Sequence, residues 1–170
     1  MVKKVAVLMG SDSDLPVMEA CLETLESFQV PCVARVLSAH RTPGDTAAFA
    51  ASAEAEGFGV IIAAAGGAAH LAGAVAAHTV LPVIGVPLAA TPLAGFDALL
   101  STVQMPPGIP VGCVGVGDFG ARNAALLAVA VLALSDAGLA ERLKRFREKQ
   151  AEKVRAKDRG LQGRGSGAPS

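Results

Sequence analysis

A chain of 170 residues with 52% hydrophobic side chains is sized for one domain that buries about 70% of the surface its unfolded form would expose. Its 15 basic and 15 acidic side chains cancel, which argues against a chain built as a whole to hold nucleic acid. Three cysteines, Cys21, Cys32 and Cys113, are odd in number and lack metal-ligand spacing, so the sequence predicts buried thiols in a reducing cytosol and no disulfide framework.

In chain order, Lys4 to Met9 is an apolar run that reads as a strand over 4–9. The basic start before it imitates a signal peptide, but the apolar run stops at Met9, too short for export. Gly10-Ser11-Asp12-Ser13-Asp14 then leads into a helix over 15–28 that opens at Leu15-Pro16. A strand at 32–37 and a helix at 43–56 follow. The chain continues as strand 59–65, helix 69–78 and strand 82–86, then a helix near 96–103, strand 111–116, helix 121–134 and a terminal helix 138–156. Alternation of this kind predicts an α/β fold, a doubly wound and mostly parallel sheet in three αβα layers.

No charged residue occurs from Gly57 to Phe96. Gly66-Gly67, Pro82, Pro87 and Pro92 cut this stretch into pieces too short to span a bilayer, so a buried strand-helix-strand unit is expected and no membrane association. The helix His70 to His78 has almost no polar face, and a helix apolar all round is covered on all sides. In a domain this small that requires another subunit, hence a homo-oligomer.

Residues 1–140 carry five basic side chains (Lys3, Lys4, Arg35, Arg41, Arg122) against eleven acidic ones, whereas residues 141–170 carry ten against four. Leu139, Leu143, Phe146, Gln150 and Val154 recur at helical spacing, so the basic end reads as a solvated helix docked by one stripe. Glu141, Glu148 and Glu152 interrupt its basic face, and no nucleic-acid partner is expected. One domain therefore spans 1–158, and the Gly, Gln, Ser and Pro beyond Asp158 predict a disordered tail over 159–170.

Ligands of open α/β sheets bind beyond the carboxyl ends of strands, and two polar clusters sit there. Ser11, Ser13 and Asp14 precede a helix, where free N–H groups and the dipole suit a phosphate. The same residue types also serve as plain helix caps. Ser38-Ala39-His40-Arg41-Thr42-Pro43 puts a hydroxyl, an imidazole and a guanidinium at the next strand end. Arginine matches phosphate oxygens in a bidentate way, and His40 is placed as an acid/base group. His70 follows the Gly66-Gly67-Ala68-Ala69 loop, which could wrap a ligand, while His78 reads as helix packing. Gly115-Val116-Gly117-Asp118-Phe119-Gly120 fits the dinucleotide pattern, yet it leads only into helices, so its glycines read as a tight turn. No P-loop, HExxH motif or Cys/His metal set is present.

Four motifs together, Gly10 to Asp14, Ser38 to Pro43, Ala65-Gly66-Gly67-Ala68-Ala69-His70-Leu71 and Val103-Gln104-Met105-Pro106-Pro107-Gly108-Ile109-Pro110-Val111-Gly112, resemble the N5-carboxyaminoimidazole ribonucleotide mutase family, PurE, of purine synthesis. The likeness runs from about residue 3 to the helix near 150. It implies a flavodoxin-like fold, a cytoplasmic octamer, no cofactor, and transfer of a carboxylate from the exocyclic nitrogen to C4 of aminoimidazole ribonucleotide. It further implies that Ser11 and Asp14 bind substrate, with Asp14 on the ribose hydroxyls, and that Ser38 and Arg41 hold the phosphate. By the same likeness His40 shuttles the proton, and the loop Gly66, Gly67, Ala68, His70 and Leu71 closes over the imidazole. A separate ATP-dependent synthetase would supply the substrate. The related branch that carboxylates with CO2 typically has Lys where this chain has Arg41 and lacks the Gly-Gly-Ala-Ala-His loop. A non-catalytic phospholigand-binding module is the alternative of a different class. The chain departs from the family pattern at Ala64, Ala72, Phe119 and Arg122.

Overall fold

The computed structural model describes residues 3–165, with side chains described as far as Gln162. Five strands, β1 (Lys4–Met9), β2 (Cys32–Val36), β3 (Phe58–Gly66), β4 (Val83–Leu88) and β5 (Gly112–Cys113), form one sheet. Its order is β2-β1-β3-β4-β5 and every pairing is parallel. Six helices connect and cover it: α1 (Leu15–Ser27), α2 (Pro43–Ser52), α3 (Leu71–Ala76), α4 (Phe96–Val103), α5 (Asp118–Ala133) and α6 (Ala137–Gly165). This is the flavodoxin-like order, with the strand sequence reversing direction between β1 and β3.

Side chains alternate across a strand, and here each alternate set feeds a different core. Val5, Val7 and Met9 of β1 join Val60, Ile62 and Ala64 of β3 under α1 and α5, a core that also takes Leu139. Ala6, Leu8, Ile61 and Ala63 point the other way, into a core closed by Ala50, Leu71, Ala72 and Val75 of α2 and α3. Strands buried on both faces read as continuous apolar runs, which is why β1, β3 and β4 are visible in the sequence.

Several elements differ from the expectation. β2 lies at the sheet edge with all five residues exposed, so Cys32 is an exposed thiol rather than a buried one, while Cys21 is buried and Cys113 half-buried. β5 shrinks from the expected 111–116 to Gly112–Cys113. Carbonyls of Gly85 and Pro87 accept from Val114 and Gly117, so Pro87 turns its nitrogen toward β5 as well. That nitrogen has no hydrogen to donate, and the ladder ends. α3 is shorter than expected but apolar along its whole length: Leu71, Ala72, Val75 and Ala76 are buried by this chain alone, Gly73 and Ala74 are half-buried, and Ala77 and His78 beyond its end are exposed.

The terminal helix runs past the expected end at residue 158, to Gly165, so residues 159–165 are helical where a disordered tail was expected. The rest of that tail, 166–170, lies outside the described residues. α6 is pinned at its first turn by Leu139, which is fully buried, and by Phe146 tilted onto Phe28 at 5.4 Å. Among the described residues, no helix is long and apolar enough to cross a membrane.

Candidate active site

β1 lies between β2 and β3, so the three loops leaving their carboxyl ends meet over one crevice. The central loop is a 3-10 turn, Asp12–Asp14, capped by Ser11: its Oγ accepts from the Ser13 N–H at 3.4 Å. The Asp14 carboxylate accepts from the Ser11 N–H at 3.0 Å, closing the capping box. The cap reading therefore holds, and the same residues line the cavity described below. Asp14 is only 9% exposed. Burial pushes its carboxyl above the usual range, while the Ser11 and Gly10 amides and the Arg41 guanidinium pull it back.

The loop after β2 is a tight turn locked by Ser38. Its Oγ accepts from the Arg41 backbone N–H at 3.1 Å and from Arg41 Nε at 3.4 Å, and its amide donates to Thr42 Oγ1 at 3.0 Å. Arg41 Nη2 also donates to the Gly10 carbonyl at 2.8 Å. This cross-link between two strand ends aims one arm of the guanidinium at β1 and leaves the other available. The loop after β3 brings His70 opposite, where its Nδ1 shares a 2.8 Å hydrogen bond with His40 Nε2. Gly67 makes that loop possible by holding φ at +62°, a region other residues rarely enter. A Cβ on Gly66 would lie 2.4 Å from the Ala90 Cβ, so glycine is also what lets the β3 and β4 loops touch.

Together these loops enclose a cavity of about 340 Å³, within the usual range for small-molecule sites. Ser11, Asp14, Ser38, His40, Arg41, Gly66, Ala68, His70 and Leu71 line it, as do Gly10, Ser13, Ala39, Ala65 and Ala90. Of the site residues expected from the sequence only Gly67 stands outside the lining, as the turn behind it. Ala90 had no chemical signal in the sequence, and only its place beyond the carboxyl end of β4 could have suggested it. A larger cavity of about 770 Å³ near His78 and Glu54 adjoins the amino end of β4, where few polar groups converge and open sheets do not place chemistry.

The glycine pattern at 115–120 is a packing device. A Cβ on Gly120 would fall 1.6 Å from the Gly115 carbonyl oxygen, so α5 starts hard against that loop. Ala72, one of the departures noted above, is buried in α3, its Cβ 3.2 Å from where a Cβ on Gly85 would sit. Phe119 and Arg122 face a different groove, beside Glu23, Phe146 and Lys153. Among the described residues no cluster of His, Cys, Asp and Glu suits a metal ion.

The family model described as AIR carboxylase matches residues 4–153. The chain belongs to the AIR carboxylase family. The AIR carboxylase relatives include an N5-carboxyaminoimidazole ribonucleotide mutase of Brucella melitensis, 57% identical over 88% of this chain and 93% of the relative. A chloroplastic phosphoribosylaminoimidazole carboxylase of Vigna aconitifolia is 52% identical over 86% of this chain, and over 26% of its own length. Among solved structures, Treponema denticola PurE superposes with a TM-score of 0.84 at 31% identity, over 92% of this chain and 97% of that one. The AIR carboxylase match thus spans all five strands and every loop that lines the cavity.

Proposed function

We propose that this chain is a mutase of purine synthesis that converts N5-carboxyaminoimidazole ribonucleotide to 4-carboxy-5-aminoimidazole ribonucleotide. The observation that carries the reading is the convergence of one guanidinium, one carboxylate, seryl hydroxyls and an imidazole pair on a cavity of about 340 Å³. That set matches the parts of such a substrate. Arg41, fixed by Gly10 and Ser38, takes the phosphate with help from the Ser38 hydroxyl. Asp14 accepts from the ribose hydroxyls, with Ser11 beside it. The Gly66 to Leu71 loop, with Gly67 as its turn, covers the ring.

The carboxylate leaves nitrogen as CO2 and bonds to C4. His40 gives a proton to the nitrogen as its bond to the carboxyl carbon breaks, and takes the C4 proton once the new bond has formed, so protons balance over the cycle. Ala39, Ala65, Ala68, Leu71 and Ala90 supply an apolar wall that holds CO2 beside C4 and keeps water out.

A labile carbamate must be made close by, so we place the activity in the cytoplasm with a separate ATP-dependent synthetase. We also propose a homo-oligomer, an octamer by family likeness. Its support here is apolar surface left open on one chain: Phe96, Leu100 and Val103 along α4, 62%, 42% and 49% exposed, and Val36 at the β2 edge. Size exclusion with light scattering returning a monomer at micromolar concentration would refute that.

The functional test compares freshly made N5-carboxyaminoimidazole ribonucleotide with aminoimidazole ribonucleotide plus bicarbonate or CO2, for wild type and His40→Asn. Turnover of the carbamate without added CO2, lost in the variant, supports the mutase. Turnover only with added CO2 makes the protein a direct carboxylase, and none with either substrate makes it a phospholigand-binding module.

A further inference from the structure

We propose that His70 is the proton partner of His40, the two imidazoles working as one unit through the hydrogen bond between His40 Nε2 and His70 Nδ1. This rests on the mutase reading of the site and changes the part of His70 from a substrate contact to a positioning and relay residue. The two side chains come from loops 30 residues apart yet approach to 2.8 Å. Their rings meet edge-on, 80° between planes and 4.9 Å between centroids, so the bond lies close to the ring planes, where the nitrogen lone pairs are.

A hydrogen bond between two imidazole nitrogens needs a hydrogen on one and a lone pair on the other. Two N–H groups facing each other at this distance would repel, so the contact holds one bridging proton. The tautomer of each ring is thereby set by the other. When His40 receives the C4 proton on Nδ1, its Nε2 proton can pass to His70 Nδ1, leaving His40 neutral and His70 cationic. The reverse passage restores the Nε2 proton as His40 gives the Nδ1 proton to the next substrate. One proton enters and one leaves His40 in each direction, and no other reactant is needed.

The surroundings suit a unit that carries a single charge. Sharing the cavity with the pair are Arg41 from the loop after β2 and Asp14 from the turn before α1, whereas α3 contributes Leu71 and the loop after β4 only Ala90. One cation and one carboxylate therefore line the same cavity as the imidazoles, and no further titratable group in that lining competes for the bridging proton.

The test uses the full chain with His70→Ala and His70→Asn. Nitrogen NMR of the ligand-free protein reads the His40 tautomer directly. One tautomer in wild type that becomes a mixture in His70→Ala supports the pairing, and a mixture in both overturns it, whatever the protein turns out to catalyse. In turnover of the carbamate, His70→Ala should lose about 30-fold or more in kcat with KM within about threefold. His70→Asn keeps a neutral hydrogen-bonding group near the Nδ1 position but cannot take the extra proton. It should restore the single His40 tautomer without restoring kcat. Recovery of kcat to within twofold of wild type by His70→Asn, or a change in KM alone, overturns the relay.

Discussion

Replacing Arg41 by lysine removes planarity and keeps charge, so it isolates the geometry on which the proposed phosphate seat depends. In the folded chain Nη2 donates to the Gly10 carbonyl at 2.8 Å and Nε reaches Ser38 Oγ at 3.4 Å. These anchors leave the Nη1 edge to bridge two phosphate oxygens. Lysine has one compact ammonium on a flexible stem and cannot hold the Gly10 carbonyl and a bidentate phosphate together. A hydrogen bond to a charged group contributes about 1.5–3 kcal/mol, so the loss of one predicts a Kd weaker by about 10- to 150-fold at roughly 1.4 kcal/mol per decade.

Calorimetric titration with aminoimidazole ribonucleotide, which carries the phosphate but not the labile carboxylate, measures this without turnover. Because Arg41 is exposed in the ligand-free chain, the urea midpoint should barely move, separating lost binding from lost folding. An Arg41→Lys protein that binds within twofold of wild type would refute the assignment and move the phosphate to the Ser11-Ser13 turn.

Three further outcomes follow from the same geometry. Gly120→Ala would put a methyl 1.6 Å from the Gly115 carbonyl oxygen and should destabilise by about 3 kcal/mol or more in urea unfolding, whereas Gly115→Ala, with nothing within 4 Å, should change stability by under about 1 kcal/mol; equal tolerance would remove the packing account of that motif. Cys32 should react with a maleimide in the native protein while Cys21, buried and with its thiol pushed up to about 12, labels only on unfolding, an order that peptide mapping checks. The raised carboxyl of Asp14 favours its protonated form on folding, so the stability of wild type relative to Asp14→Asn should be greatest below pH 3.8 and fall as pH rises through the elevated folded value; a gap that grows toward neutral pH would contradict the burial argument.

The parts of this fold that a reader of the sequence can see are those whose physics is local. β1 and β3 announce themselves as unbroken apolar runs because both faces are covered, and Ser11, Asp14, Ser38 and Arg41 are visible as polar residues stationed at strand ends. Exposure at the β2 edge is not local: Cys-Val-Ala-Arg-Val looks like any strand, and only the sheet order makes it the outermost. The early end of β5 depends on a proline in the neighbouring strand, and Ala90 carries no chemical mark at all. Beyond Gly165, the expectation for the tail has no structural counterpart among the described residues.

What the sequence withholds most completely is the contact on which the proposed relay rests. His40 and His70 belong to separate motifs, and each has a reasonable reading alone, one as a shuttle and one as a ligand contact. Their meeting is a consequence of topology. β2 and β3 are consecutive in the chain but flank β1 in space, so the connection between them crosses over β1 and its loop. The β1 loop lies between them, and the two imidazoles, one from the loop after each flanking strand, meet at hydrogen-bonding distance. A β2-β3 pairing would leave Gly10 to Asp14 beside the pair rather than between its supporting strands. It would break the Arg41 to Gly10 bond, which exists only because β1 and β2 are neighbours. The strand order is thus the step that turns two ordinary strand-end motifs into one cavity, holding both the proposed acid/base pair and the proposed phosphate anchor.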